Sequence, residues 1–457
     1  MFKKQILRAT AILMFLLLVF ATATVGAQAK NVILLIGDGM GYSQFWGAQL
    51  YSKNILGKDL RMIEVMKAGN TAYLVNDTAD SFVTESAAAA GQIATGERMF
   101  ARALSMKADG KTPVPTILEM AKSQKNMACG LVTTSGITDA TPAAFATHVS
   151  HRSNEEEVAT QLLTSNVEVL MGGRKQFFLP ESVKGGRRKD GRNLIEEASR
   201  LGYRVVETAS QLKNVSESKV LGLFNMANMS YEIDRKTTQE PSLAEMTEVA
   251  LRILSRNPNG FFAMIEGGRI DHASHRNDVA ATIQDVIAFD EAVGVAIDFA
   301  KSHPGTLVIV TADHETGGMA LIGHSKTSKE YVGIDLKQVG NQNLSFELLV
   351  KEWGKNPTPA TIKESVKKAT GIELTDQEAQ FVAADTIKKA DPYNYSYDYL
   401  HSLAFVLRPY FRVGFASQTH TASPLFACAM GPGSERVRGL LHNTELFTIM
   451  KAALQLK

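Results

Sequence analysis

Leu307-Val308-Ile309-Val310-Thr311-Ala312-Asp313-His314 is the stretch that decides the fold. A run of apolar, β-branched residues reads as a buried strand, and an acid and an imidazole follow it at once. The pattern recurs. Asp38 follows Val32 to Ile36, and Glu266, Asp271 and His275 follow Phe261 to Ile265. Asp139 and Thr141 follow Leu131 to Thr134, and His420 lies just ahead of Pro424 to Met430. In an open α/β sheet, ligands gather outside the carboxyl ends of the strands. If these five runs share one sheet, most of the acids and imidazoles converge on one rim. Carboxylates crowded in this way repel one another and their pKa values rise unless cations neutralise them. The sequence therefore points to a multi-metal site.

Working outward, short β-branched runs alternate with longer helical patterns, which argues for βαβ units. The expected fold is α/β: a three-layer α/β/α arrangement with a central, mostly parallel sheet. One crossover is explicit. Asn277-Asp278 caps a helix whose Val279, Ile283, Val286, Ile287, Val293 and Ile297 recur at helical spacing, and Pro304-Gly305 ends it. The basic, Gly-rich stretch Lys184 to Arg192 reads as a solvated loop. Between Leu321 and Ser417 the character changes. Thr361 with Glu364, and Thr375 with Glu378, look like capping boxes, and Asp391 to Tyr399 is Tyr-rich with little periodicity. This stretch interrupts the interval between Asp313-His314 and His420. It is expected to be an inserted, mainly helical cap, residues 321–417, between core segments 28–320 and 418–457. Its aromatics either pack the cap or line a substrate entrance.

Residues 1–27 read as a secretory signal: Lys3, Lys4 and Arg8, an apolar stretch from Ala9 to Phe20, then small residues. Cleavage after Ala27 or Ala29 fits, and the rival is an uncleaved membrane anchor. Export implies a periplasmic or secreted protein with no stable membrane span after cleavage. Removing three cations and no acid turns the formal charge of +2 into −1, so the mature chain has no basic footprint for nucleic acid. Cys129 and Cys428, the only cysteines, read as buried free thiols or as one disulfide. Two cysteines are too few for Cys-based zinc binding, which leaves His and oxygen ligands for any metal.

Each window has a bland reading beside the chemical one. Gly37-Asp38-Gly39-Met40-Gly41 is a good turn, yet its small residues also let backbone approach a ligand. Ser86 opens the Ala-rich run Ala87 to Ala90; it is either an ordinary N-cap or a hydroxyl placed where helix amides favour negative charge. Asp139-Ala140-Thr141-Pro142 precedes an expected helix carrying His148 and Arg152, and Arg152 is either an exposed helical arginine or a planar fork for phosphate. Glu266 to His275 is the densest window. Asp271 and His275 are four apart, so one helical turn puts them on one face. That pair suits catalytic zinc, and Glu266 a hard, oxygen-only site such as magnesium. His420 supplies a third nitrogen.

With these residues in hand, the chain resembles the alkaline phosphatase family. The matching strings are Gly37 to Gly41, Val83 to Ala88, Asp139 to Ala144, Glu266 to His272, Thr311 to Gly318 and His420-Thr421. The poorly matching cap corresponds to the family's variable, crown-like region. The resemblance implies hydrolysis of small phosphate monoesters through a covalent phosphoserine at Ser86, with two zinc ions and one magnesium ion. Asp271, His275 and His420 would hold the first zinc. Asp38, Asp313 and His314 would hold the second, and Asp38, Thr141 and Glu266 the magnesium. Arg152 would bind phosphate; His272 would reach it through water, with Asp139 beside it around the magnesium. Glu85 stands where many relatives have Asp, in a position that orients the arginine, and Ala422 stands where many have Gly. A homodimer is implied by the resemblance alone. The rival readings are a phosphodiesterase or sulfatase of the same superfamily, or a metal- or phosphate-binding protein without turnover.

Overall fold

The computed structural model describes residues 28–385 and 399–457. The proposed signal and most of the Tyr-rich stretch from Asp391 lie outside the described residues. Among the described residues ten strands form the central sheet: β1 (Asn31–Gly37), β2 (Thr71–Val75), β3 (Ala128–Gly136), β4 (Val169–Gly173), β5 (Arg204–Val206), β6 (Val220–Leu223), β7 (Phe261–Gly267), β8 (Thr306–Ala312), β9 (Leu425–Met430) and β10 (Gly439–His442). Their spatial order is β10-β2-β9-β8-β1-β7-β3-β4-β6-β5. β9 pairs antiparallel with both β2 and β8, and every other pairing in the sheet is parallel. A strand running backwards starts at the rim where its neighbours end. His420, ahead of β9, therefore falls at the same rim as Asp38, Glu266 and Asp313.

The central strands β1, β7 and β8 are buried along their whole length, as continuous apolar runs are when helices cover both faces of a sheet. Successive residues of β3 show the two layers. Cys129 meets Leu118 of the helix Ile117–Lys125 on one face. Gly130 lies so close to the helix Leu243–Leu254 on the other that an added Cβ would come within 2.8 Å of Leu254 Cδ1. Cys129 and Cys428 are buried free thiols. Their strands, β3 and β9, stand four positions apart in the sheet, about 19 Å at the usual strand spacing, far beyond disulfide reach.

Four helices position the residues at this rim: α1 (Ser86–Thr95), α2 (Ala140–Ala144), α3 (Arg269–His275) and α4 (Val279–Ser302). The predicted cap of α4 is present, with Asp278 Oδ1 accepting from Ala281 N at 3.1 Å. α2 stops at Ala144, so His148 and Arg152 are not on it, contrary to expectation. The backbone turns away after Phe145, and His148 is held between Ser105 O and Glu119 Oε1, each at 2.9 Å.

Residues 321–417 include helices Leu336–Asn341, Phe346–Trp353, Pro359–Thr370, Asp376–Ala384 and Leu400–Phe411. Two short antiparallel pairs tie off their base: Ala320–Leu321 with Val413–Gly414, and Glu315–Thr316 with His420–Thr421. The Thr375–Glu378 capping box forms as expected. The other does not. Thr358 caps the helix that begins at Pro359, because proline suits the first helical position and sets the start three residues early. Arg188, expected in a solvated loop, is 2% exposed. Its guanidinium donates to Glu156 O, Phe177 O and Thr160 Oγ1 and pairs with Asp190.

Asp278 joins these two regions. Besides capping α4, its carboxylate accepts from Phe346 N at 2.6 Å and Gln342 Nε2 at 2.8 Å. Asp278→Ala removes a helix cap and strands two buried donors. It should lower stability in urea by about 2–4 kcal/mol. A loss below about 0.5 kcal/mol, the range of an ordinary surface change, would show that these contacts do not couple the regions.

Candidate active site

The site is assembled at strand ends. β1 delivers Asp38, β7 delivers Glu266, β8 delivers Asp313 and His314, and the pairing of residues 315–316 with 420–421 delivers His420. The Gly-Asp-Gly turn after β1 is more than a turn. Gly39 has φ +69°, and a Cβ there would lie 2.8 Å from Asp271 Cα. Only glycine allows that conformation and that approach at low cost. Gly39 N in turn donates to Asp313 Oδ1 at 3.1 Å, joining three of the acid-bearing segments.

Two groups of ligand atoms converge. Donor atoms of Asp38, Asp313 and His314 all lie within 4.8 Å of one another, as do those of Asp271, His314 and His420. His314 Nε2 is 3.3 Å from Asp313 Oδ2 and 3.5 Å from Asp38 Oδ1. His275 joins the second group: its Nε2 is 3.1 Å from Asp271 Oδ2 and 3.1 Å from His420 Nε2. The outer ring nitrogens are anchored, His275 Nδ1 facing Gln418 O at 2.6 Å and His420 Nδ1 facing Thr84 O at 3.1 Å. Anchoring one nitrogen leaves the other to face inward, the usual arrangement for a ligating histidine.

Ser86 is not an N-cap. Glu85 caps α1, accepting from Ala87 N and Ala88 N, and Ser86 is the first helical residue. This frees Ser86 Oγ to sit 3.1 Å from His314 Nε2. Arg152 is braced from two sides, Nη1 on Glu85 Oε2 at 2.7 Å and Nη2 on Asp139 Oδ1 at 2.9 Å. Asp139 also caps α2 and takes Arg174 Nη2 on its other oxygen at 2.8 Å. Thr141 and Glu266 neighbour each other and Asp38. His272, next to Asp271 on α3, is partly buried, its pKa pushed down to about 3 by burial and by the Arg269 charge.

The donor set fits divalent cations. Asp38 Oδ1, Asp313 Oδ2, Glu266 Oε1 and Thr141 Oγ1 are buried and accept no hydrogen bond, although buried polar atoms are normally satisfied. Burial, then the neighbouring Asp313, Asp271 and Glu266, pushes Asp38 well above the carboxylate range. Burial likewise lifts Asp313 to about 8 and Glu266 to about 7. Asp271 goes the other way: burial raises it, but the His275, His420 and His314 imidazoles outweigh that and hold it well below. Oxygens without donors and carboxyls that resist ionising are what a cation would relieve.

Several contributing residues carried no clear signal in the chain. Thr316 Oγ1 donates to Asp271 Oδ1 and lies 3.3 Å from His314 Nδ1. Thr133 and Ser135 hydroxyls reach Glu266 Oε2, and Gln418 contributes only its backbone. Thr316 lies inside the Thr311 to Gly318 string and was findable there. Arg174, at φ +61° in a turn after β4, had no such marker.

The raised carboxyls give a signed expectation. Asp313, raised to about 8, is mostly protonated in the ion-free protein at neutral pH, and Glu266, raised to about 7, is divided between its two forms. Zinc uptake at Asp313 should release protons and weaken as pH falls below about 8. Without cations, stability present at lower pH is lost as pH rises through these values, because the buried carboxyls must then ionise. Titration calorimetry in buffers of different ionisation enthalpy reads the protons directly; uptake without net release would contradict the raised values.

The alkaline phosphatase family model matches residues 29–456. Alkaline phosphatase 4 of Bacillus subtilis is 32% identical over 437 residues, covering 93% of this chain and 89% of that protein. Streptomycin-6-phosphate phosphatase of Streptomyces griseus is 31% identical, covering 94% and 92%. The crystal structure of Thermus thermophilus alkaline phosphatase superposes with a TM-score of 0.87 at 32% identity, covering 95% of this chain and 93% of that one. With the family match running nearly end to end, the chain belongs to the alkaline phosphatase family and is a phosphoric monoester hydrolase.

Proposed function

We propose that the reaction runs through a covalent phosphoserine at Ser86, with two zinc ions and one magnesium ion held at the rim. The observation carrying this reading is Ser86 Oγ, 3.1 Å from His314 Nε2 at the amino end of a helix. Asp271, His275 and His420 would hold one zinc, Asp38, Asp313 and His314 the other, and Asp38, Thr141 and Glu266 the magnesium. Mixed imidazole and carboxylate donors suit zinc, and the all-oxygen set suits magnesium. Bound ions supply Lewis acidity, which lowers the pKa of hydroxyl and water and stabilises a leaving alkoxide.

Ser86 Oγ, deprotonated to solvent, attacks phosphorus, and the bond to the leaving alcohol's oxygen breaks. Water then attacks the phosphoserine, the bond to Oγ breaks, and inorganic phosphate leaves with Ser86 restored. Ser86 sits at the amino end of α1, where the helix dipole favours negative charge, although Glu85 already takes the Ala87 and Ala88 amides. Arg152 supplies guanidinium donors to the non-bridging oxygens, its plane fixed in advance by Glu85 and Asp139. Pre-set donors of this kind cost little reorganisation as charge develops. The neutral His272 approaches phosphate through water. Residues 321–417 are read as an insertion over this rim, and the substrates as small phosphomonoesters, with no role for nucleic acid.

Among the described residues no helix is long and apolar enough to cross a membrane. We read the protein as exported to the periplasm or medium, and the oligomer as a homodimer. Ala29 is buried, and its N–H donates to Ala453 O at 2.9 Å, which favours signal cleavage after Ala27 over Ala29. The mass of the mature amino terminus checks this.

Incubating the protein with an aryl phosphate and mapping phosphate by mass spectrometry should find it on Ser86. Ser86→Ala retaining full turnover would sink the covalent route. Arg152→Ala should lower kcat/KM by roughly 10²–10³-fold, the usual effect of losing one positioned donor. Chelation should abolish activity and zinc with magnesium restore it. Faster turnover of a bis-aryl phosphate or an aryl sulfate than of an aryl phosphate would overturn the monoester assignment for this site.

A further inference from the structure

Residues 269–278 carry Asp271, His272 and His275, and residues 321–417 grip them from outside. Glu347, in the first turn of the helix Phe346–Trp353, places Oε2 2.6 Å from Arg276 Nε and 3.5 Å from Arg269 Nη2. The same oxygen accepts from Tyr231 Oη at 2.9 Å. Arg269 and Arg276 stand at the two ends of α3. Arg276 Nη1 also donates to His272 O at 2.9 Å. Arg269 is 4% exposed and lies 3.6 Å over the Tyr231 ring, with Asp234 and Asp285 as more distant acids. Next to this clamp, Asn277 Nδ2 donates to Ser274 O and Ser417 O, and Asn277 Oδ1 faces His401.

We propose that Glu347 is a positioning residue for the metal-binding helix. One carboxylate from the 321–417 segment ties both ends of α3, and so sets the angle at which Asp271 and His275 present their ligand atoms. The physical reason is leverage. α3 is only seven residues long and has no side-chain cap of its own, so its orientation is decided by what holds its ends. A cation discriminates ligand placement on the scale of tenths of an ångström. Groups outside the ligand set commonly change metal affinity tenfold or more through orientation alone. This gives the segment a second role beyond covering the rim. The proposal rests on reading Asp271, His275 and His420 as ligands.

The test is zinc release from the full, zinc-loaded protein into excess chromogenic chelator. The variants are Glu347→Gln, Glu347→Ala, Ser365→Ala and His275→Ala. Gln keeps the shape and the acceptor for Tyr231 but not the charge. Ser365→Ala removes the partner of Trp353 Nε1 in the same segment and leaves α3 untouched. Both Glu347 variants should release zinc about tenfold faster, with Ser365→Ala at the wild-type rate and the thermal midpoint of ion-stripped Glu347→Gln close to wild type. Wild-type release rates in both Glu347 variants would overturn the proposal. Equal acceleration by Ser365→Ala would also overturn it, reducing the effect to general loosening. If instead His275→Ala releases zinc at the wild-type rate, the ligand reading beneath the proposal fails, a distinct result.

Discussion

Mutual repulsion among buried acids is the constraint on which the rest of the structure depends. Asp38, Glu266 and Asp313 stand at the ends of three strands and Asp271 in the first turn of a short helix, all at a single rim, and each is under a tenth exposed. Such a cluster cannot be assembled by hydrophobic burial alone, since desolvated carboxylates cost several kcal/mol apiece. The fold answers with donors from rigid places: Gly39 N and His314 N on Asp313, Thr316 on Asp271, Thr133 on Glu266. On Asp313 and Glu266 these donors satisfy one oxygen and leave the other bare, so the protein offsets part of the cost and leaves the remainder to cations.

A second electrostatic chain governs the anion side. Glu85 caps α1 and holds Arg152; Asp139 caps α2 and holds both Arg152 and Arg174; Arg174 reaches on to Glu155. Two helix caps thus double as anchors for one guanidinium. The Glu at position 85, where the resemblance implies Asp, reaches Arg152 at 2.7 Å, so the brace is made. Asp139, between two arginines, is driven well below the usual carboxylate range despite its burial, and like Asp271 it stays charged where burial pushes Asp38, Glu266 and Asp313 up.

Much of this was legible in the chain. A parallel sheet followed from fully apolar strand runs alternating with helical periodicity, and the rim from the acids trailing each run. Those signals are local: strand burial and the residue after a strand end are set within a few positions. Boundaries that depend on competition were misjudged. Proline at 359 moved a helix start, and α2 ended before Arg152 because the loop at 145–154 found better contacts with Ser105 and Glu119.

What the sequence alone determined is the inventory and its order: which residues can ligate, attack or bind phosphate, and which strand brings each to an edge. Only the tertiary structure decided their partnerships. That His314 serves both ligand groups, that Glu85 rather than Ser86 caps α1, that Arg174 backs Asp139 and that Glu347 spans α3 all rest on contacts set by the folded chain, most between residues tens to hundreds of positions apart. No local pattern encodes such distances, because they are fixed by how strands order in the sheet and how closely glycines let the chains approach.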